Sequence, residues 1–427
     1  MGESTSAWGG WIQGCSRCFT RPSWALFLDL TRAWILCPGR RTVTHMISIL
    51  LQARPHDAYH RLLRAGAWSM APLWKIVAQA LVTAMVPGRI DLDIDDTLFH
   101  RPGRKVDGAG LFRDAVRTSG SGIVYARGLS LVVLTLRVIP PWGGEPLGLP
   151  INMRLHRKNG ETYIDLAQAM RAEVAAWFPE RSVRLCGDGN YAPLVTLDPA
   201  KTVVTSRMRR DAAIYDIPKQ LKAPRGRPSR KGRRLPTPER IALQSGTTWK
   251  RVQFDSRGKK RVYLLYSRLV VWYHVCRDRP VLLVIARDPR GHRPDEFLVS
   301  NDLASAPESI VSQYTGRWSI EDTFRNVKQF LGGENLQTWR KQGPERAAAL
   351  SLWLYSEIWL WYLMTHGAKI TWRNLPWYPA KSTPSFLDAL AALRRTLWAE
   401  SLFGKSAPQQ LSAINIHPMI DALARAA

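Results

Sequence analysis

The stretch Arg89-Ile-Asp-Leu-Asp-Ile-Asp-Asp-Thr97 is where the sequence changes texture. Ile90, Leu92 and Ile94 alternate with Asp91, Asp93 and Asp95. A period of two is the mark of a β-strand with one apolar face. Everything before this strand reads as helical. Trp24 to Leu36 is apolar-periodic and ends at Pro38-Gly39. Thr42 can cap a helix running to Leu51, and Ala58–Ala65 and Ala71–Met85 follow, closed by Pro87-Gly88. Arg40 and Arg41 at a turn, with Arg61 and Arg64 on a helix, suit either a helix-turn-helix or a plain small bundle.

Downstream, strands dominate. Gly122–Ile139 is a long β-rich run suited to hairpin pairing, and Leu147–Leu155 is a third strand. Thr162–Phe178 has the spacing of an amphipathic helix. Ser182–Gly187 is a fourth strand, ending at Asp188, and Thr202–Met208 a fifth after a short helix. This order predicts an α/β fold with a mixed sheet. Residues 207–306 interrupt it with strand-like segments at Lys260–Ser267, Leu269–Cys276, Pro280–Ala286 and Glu296–Ser300. After Ser305 the chain turns helical to its end.

Charge sharpens this division. The chain has 427 residues, 61 Lys+Arg against 34 Asp+Glu, and a formal charge of +27. Such an excess calls for a polyanionic partner, nucleic acid first and an anionic membrane surface second. Residues 207–306 hold 24 Lys/Arg against 9 Asp/Glu, or +15, more than half of the excess. Within them, Lys222–Arg234 is a basic Gly/Pro loop carrying Arg225, Arg227, Arg230, Lys231, Arg233 and Arg234. Tyr263, Tyr266, Trp272 and Tyr273 punctuate the neighbouring strands. Cationic loops beside aromatics suit a surface that holds phosphates and stacks unpaired bases, with Trp272 the aromatic of choice. The same aromatics would equally serve as the core of a β-subdomain.

Other function classes recede. Five cysteines at 15, 18, 37, 186 and 276 are an odd number without a disulfide pattern, and a reducing compartment fits better. Cys15-Ser16-Arg17-Cys18 has no second pair to complete a zinc site. The opening residues Met1–Gly14 lack the basic-then-apolar series of a signal peptide. Ala347–Met364 is the most apolar run, but Glu357 at its middle and Ser351 and Ser356 predict a buried helix rather than a membrane span.

Three carboxylates fall where chemistry could use them. Asp95 sits at the end of the first strand, Asp188 at the end of a later strand, and Glu321 in the first turn of a helix. Strand ends on one edge of an α/β sheet bring distant residues into one cleft. Clustered carboxylates repel one another, and Mg²⁺ with its preference for oxygen ligands relieves that repulsion. The Glu321 segment reads Ile310-Val-Ser-Gln-Tyr-Thr-Gly-Arg-Trp-Ser-Ile-Glu-Asp-Thr-Phe-Arg-Asn-Val-Lys-Gln-Phe-Leu-Gly332. Gly316 ends one helix, and Ser319 with Asp322 forms a capping box for the next. Arg325 and Lys328 follow Glu321 at i+4 and i+7, with Arg317 just before the cap. One stripe would then hold a metal and substrate phosphates, or be a solvated, salt-bridged face.

Tyr314, Arg317, Glu321 and Lys328 match the Y-(2)-R-(3)-E-(6)-K signature of bacterial insertion-sequence DDE transposases. Arg317-Trp318-Ser319-Ile320-Glu321 resembles that family's RWxIE core. Ile94-Asp95-Asp96-Thr97 resembles its first-aspartate strand, and Gly187-Asp188-Gly-Asn-Tyr191 its second. The likeness spans roughly 90–340. It implies an RNase H-like core of the retroviral-integrase superfamily, with Asp95, Asp188 and Glu321 as the DDE triad holding two Mg²⁺ ions, or Mn²⁺ as substitute. Asp96 and Asp93 stay open as the first aspartate. Arg317, Lys328 and Arg325 would contact phosphates, with Tyr314 beside them. The activity implied is DNA transposition: metal-dependent hydrolysis at the element ends, then strand transfer by the 3′-OH, by a cut-and-paste route. An RNase H-like endonuclease without strand transfer and a non-enzymatic transposase-derived DNA-binding protein are the alternatives. The implied partners are double-stranded DNA (terminal inverted repeats and target) and a second copy in a dimeric DNA complex, with no membrane. A cytoplasmic, nucleoid-associated place in a bacterium goes with this. The division expected is a helical DNA-binding part (1–88), a first core part (89–206), the basic β-rich insertion (207–306), a second core part with the Glu helix (307–340) and a helical C-terminal part (341–427).

Overall fold

The computed structural model describes residues 7–50, 52–118, 122–218, 230–367, 376–403 and 413–426. The N-terminal helices are α1 (Ala7–Trp11), α2 (Arg21–Leu36), α3 (Val43–Ile47), α4 (His56–Ala65) and α5 (Met70–Met85), with a 3₁₀ turn at Gln13–Cys18. Thr20 and Thr42 cap α2 and α3, each accepting a hydrogen bond from a backbone N–H three residues on. Helix α3 stops at Ile47, short of the expected Leu51. Strand β1 (Ile90–His100) follows, then β2 (Gly110–Arg113), β3 (Tyr125–Val138) and β4 (Leu147–His156). Helix α6 (Tyr163–Trp177) opens with a complete Thr162/Asp165 capping box. Then come β5 (Val183–Gly187), a 3₁₀ helix at Gly189–Thr196, and β6 (Thr202–Arg207).

The architecture is mixed α/β with an RNase H-like sheet. Central β1 pairs antiparallel with β3 and parallel with β5; β3 pairs antiparallel with β4, and β5 parallel with β6. Strand β1 is central, hydrogen-bonded to β3 and β5 on its two edges, and helix α9 packs against it. The basic segment adds α7 (Pro238–Leu243), β7 (Lys250–Ser256), β8 (Lys259–Val270), β9 (Val281–Arg287) and β10 (Glu296–Ser300). These strands continue the same sheet: β10 pairs with β6, and the order runs β2-β3-β1-β5-β6-β10-β9-β8-β7. Three strands differ from the sequence reading here. Leu269–Cys276 is not a strand of its own, because β8 runs through to Val270 and the chain then turns. Strands β2 and β7 carry too little apolar alternation to stand out in the sequence.

Helices α8 (Pro307–Gly316) and α9 (Ser319–Phe330) lie on the sheet, α8 over β6–β10 and α9 over β1 and β4. Then follow α10 (Gly343–His366), α11 (Phe386–Phe403) and α12 (Ala413–Arg425). The two ends of the chain are joined through buried arginines. Arg346 on α10 donates to the carbonyls of Leu62, Leu63 and Gly66 at the end of α4, and Arg394 on α11 to those of Ile35 and Cys37 at the end of α2. Each guanidinium thus caps carbonyls at the end of a helix. No helix among the described residues is long and apolar enough to cross a membrane.

Glu357 sits buried in the middle of α10, as the sequence suggested. Its Oε2 accepts from the Trp11 indole at 3.1 Å, beside a cavity of about 200 Å³ that Cys15 and Ile76 also line. Burial pushes its carboxyl from 4.5 up to about 7, with the Trp11 hydrogen bond opposing. A carboxyl whose folded value lies above its unfolded one stabilises fully below pH about 4.5 and loses that contribution as pH rises through about 7. Urea denaturation of Glu357→Gln between pH 5 and 8 should therefore show a flatter profile than the parent, with the difference at pH 8 reaching roughly 2–3 kcal/mol. Parallel profiles would show that Glu357 does not titrate in this range.

Candidate active site

Three aspartates on one face of β1 each meet an arginine. Asp91 pairs with Arg184 on β5. Asp93, fully buried, is held by Arg137 on β3, whose Nε lies 2.9 Å from Oδ2 while Nη2 pairs with Oδ1. The Asp93 carboxylate outweighs burial and raises the Arg137 guanidinium above its ordinary range. Asp93 is thus committed to an internal ion pair. Asp95 receives Arg317 Nη1 at 2.5 Å, and Arg317 Nη2 lies 3.0 Å from Glu321 Oε1. One buried guanidinium therefore bridges strand β1 and helix α9.

Local sequence dictates this geometry. Gly187 pairs with Ile94, so Asp188 leaves β5 level with Asp95. A Cβ on Gly187 would come within 2.7 Å of Tyr191 Cβ and 3.0 Å of Ile94 Cγ2, so only glycine allows the turn so close to β1. Asp188 caps the following 3₁₀ helix by accepting from the Asn190 N–H, and its carbonyl accepts from Ser206 Oγ at 2.6 Å. The link between α8 and α9 is also tight. A Cβ on Gly316 would meet the Arg137 guanidinium at 2.9 Å. Arg317 and Trp318 both keep right-handed helical dihedrals, so the chain enters α9 already helical. Ser319 is therefore not the cap that the sequence suggested: Trp318 holds that position without a side-chain bond, and Ser319 Oγ faces Asp93 at 3.5 Å.

The carboxylates are electrostatically crowded. Burial, with Asp188 and Asp96 adding repulsion, pushes Asp95 up to about 7 although Arg317 opposes it. Asp96 points to the other face of β1, where the Tyr191 hydroxyl donates to it at 3.4 Å. Burial and the Asp188 charge push it up to about 6. Among the described residues no three His, Cys, Asp or Glu side chains stand in a formed metal-ligand arrangement. The donor chemistry nevertheless fits a hard divalent cation: the ligand atoms are all oxygens, and they carry negative charge that one arginine only partly offsets.

The other sequence candidates take varied positions. Tyr314 is buried in the small core under α8, with Arg317 over its ring at 5.5 Å. Lys328 donates to the Leu98 carbonyl at 2.8 Å and lies 3.9 Å from Glu334. Burial lowers its pKa, with Glu334 opposing. Arg325 is exposed and paired with Asp322. Trp272 is only 5% exposed and belongs to the main core, so its ring is not offered to a base; the aromatic strands here pack inward. Arg225 and Arg227 lie outside the described residues. Arg230 pairs with Asp278, and the Lys231 ammonium lies 4.5 Å from the ring centres of both Tyr215 and Tyr273. Arg234 bridges to Tyr215 through the backbone, with Arg233 beside it. Sequence reading missed Arg137 and Arg207. Arg207, at the end of β6, lines a cleft of about 650 Å³ that opens beside Gly189.

A mixed sheet of this topology is consistent with an RNase H-like core. Residues 16–269 match the DDE superfamily endonuclease family, and the chain belongs to it. The match takes in the strands of Asp95 and Asp188 and ends before Glu321. No curated protein matches. Among solved structures, the NurA nuclease from Sulfolobus solfataricus aligns at 13% identity over 58% of this chain and 81% of that one, with a TM-score of 0.22.

Breaking the Asp93–Arg137 pair leaves an uncompensated buried charge. Asp93→Asn should cost roughly 3–5 kcal/mol in chemical denaturation. A loss below about 1 kcal/mol would mean the pair is not what holds Arg137 under Gly316.

Proposed function

We propose that this protein is a DNA transposase of an insertion sequence, cutting the ends of its element and joining the freed 3′-OH to target DNA. The observation that carries the reading is the Arg317 bridge from Asp95 to Glu321, which unites the first and last acids of the proposed triad with the arginine of the Y-R-E-K pattern. Asp95 is preferred to Asp96 because it shares the Glu321 side of β1, whereas Asp96 faces Tyr191.

Asp95, Asp188 and Glu321 would hold the divalent cations, Mg²⁺ or Mn²⁺, with Asp96 the nearest additional oxygen donor. When bound, such ions supply Lewis-acid assistance for phosphodiester hydrolysis and transfer. The chain's own residues do the rest. Asp95, Asp188 and Glu321 gather three negative charges where the middle of β1 meets the end of β5 and the first turn of α9. Arg317 screens two of them in the free protein and turns to a phosphate oxygen of bound DNA, its planar fork suiting that contact. Tyr314 backs the guanidinium and fixes its plane. Lys328, anchored on the Leu98 carbonyl, keeps a cation at the β1 side of α9. The exposed Arg325 and the basic residues of 230–234 supply phosphate contacts farther out.

Incubation with Mg²⁺ and labelled DNA carrying the sequences that flank the open reading frame tests this. Asp188→Asn and Glu321→Gln should each lower cleavage at least about 10³-fold with DNA binding retained, and EDTA should abolish cleavage until Mg²⁺ or Mn²⁺ is restored. Joining of the cut end to a target plasmid completes the transposase reading. Cleavage without joining would leave an endonuclease, and binding without cleavage a transposase-derived DNA-binding protein. Full activity in both variants would remove the site assignment.

A further inference from the structure

A polar cluster closes the end of β1, and the reading above uses only one of its members, Lys328. The Lys328 ammonium donates to the Leu98 carbonyl at 2.8 Å, lies 5.6 Å from the centre of the Phe99 ring and stands 3.9 Å from Glu334 Oε1. That same oxygen accepts from the His100 backbone N–H and faces His100 Nδ1, each at 2.9 Å. His100 Nε2 lies 2.8 Å from Oδ2 of Asp114, whose side chain is only 2% exposed. Carboxylates only accept hydrogen bonds, so a ring held at both nitrogens donates from both. Arg117 Nε stands 3.5 Å from the same Asp114 oxygen. Glu334 is itself fixed in place. Gly332 leaves α9 in the left-handed region, and a Cβ on Gly333 would come within 2.6 Å of the Phe99 ring. The turn thus returns Glu334 to the end of β1, where Arg101 donates to the carbonyls of Glu334 and Leu336.

We propose that His100 is a positioning residue for Lys328: by holding Glu334 it keeps the ammonium from closing onto that carboxylate and leaves it for a DNA phosphate. At 3.9 Å the Lys328–Glu334 pair is open, whereas a closed charge-assisted contact runs at about 2.7–2.9 Å. The oxygen that would close it is already engaged twice by His100. Asp114 anchors the far side of the ring, so His100 cannot follow Glu334 toward the lysine without giving up a buried partner. The Lys328 side chain keeps 21% of its surface open, where a phosphate can reach it. Its place suits that role. Lys328 lies seven residues beyond Glu321 on α9 and Leu98 three beyond Asp95 on β1, so helix and strand each run about 10 Å from the acids to this point. The inference rests on the reading of Lys328 as a phosphate contact and adds what keeps its charge unspent.

The test uses the full chain, in EDTA so that cleavage plays no part. Binding to a fluorescein-labelled duplex of about 40 base pairs, carrying the sequence that flanks the open reading frame, is read by anisotropy from about 50 to 200 mM salt. Lys328→Met should weaken binding about fivefold and lower the salt slope by about one, the loss of one phosphate contact. His100→Ala should do the same, because Glu334 then closes on Lys328. Adding Glu334→Gln to His100→Ala should bring affinity back to within about twofold of the parent and return the slope. A packing role for His100, or its own contact with DNA, predicts no such rescue. Should His100→Ala fail to fold, His100→Gln with and without Glu334→Gln gives the same comparison. In a Lys328→Met background Glu334→Gln should change nothing. A double variant no tighter than the His100 variant alone, a His100 variant that binds like the parent while Lys328→Met is weakened, or a gain from Glu334→Gln without Lys328 would each overturn the positioning role and leave the phosphate contact standing. Parent-like binding and slope in Lys328→Met would remove the contact itself, and this inference with it.

Discussion

The molecule is organised around an electrostatic problem on one strand. β1 carries Asp91, Asp93 and Asp95 on a single face inside a covered sheet, where unpaired carboxylates are costly. The fold answers each with an arginine from a different place: Arg184 from the parallel neighbour, Arg137 from the antiparallel neighbour, and Arg317 from the helical layer above. The first two arginines belong to the sheet, so their pairs fasten β1 into it. The third comes from a break between helices and has a second carboxylate, Glu321, to satisfy. That difference sets Asp95 apart from Asp91 and Asp93. Asp95 alone of the three has a counter-ion that another ligand could exchange without dismantling the sheet.

The position of that break follows from the basic segment. Because β7–β10 extend the sheet beyond β6, they create a second surface for a helix, and α8 packs there on Leu265, Leu282, Val284 and Leu298. Helix α9 packs instead on β1 and β4, close enough that Gly148 touches the Ser319 backbone and receives the Thr323 hydroxyl on its carbonyl. Arg317 lies where the chain passes from one surface to the other. The insertion thus supplies cationic strands and also sets where the arginine between Asp95 and Glu321 stands.

Much of this was legible in the sequence. The alternation at 90–95 is a strong period-two signal, and Thr42 and Thr162 mark the starts of α3 and α6 through a hydrogen bond that needs only local sequence. The spacing of Tyr314, Arg317, Glu321 and Lys328 drew attention to α9. What escaped depends on contacts between distant segments. Arg137 reaches Asp93 only because Thr135 is its register partner, 42 residues on. Trp272 looked like a surface aromatic because a basic loop precedes it, but burial is set by the strands packed around it. Ser319 had the composition of a cap, yet the preceding helix delivers the chain already in helical conformation, and a cap requires an extended residue.

The division of charge shapes how DNA would approach. The carboxylates of the site repel a phosphate backbone until cations intervene, and Arg317 is the only one that bridges two of them among the described residues. The long-range attraction must then come from elsewhere: the extended sheet beyond β6 on one side and the β2–β3 hairpin on the other. These lie at opposite ends of the strand order, with β1 and β5 between them. A polyanion held by both ends would cross the sheet over the middle of β1 and the end of β5, at Asp95 and Asp188. The net charge of +27 is thus a field with a notch in it, which would draw a nucleic acid to the flanks and leave the centre, where charge is negative, for the ions that would let its backbone settle.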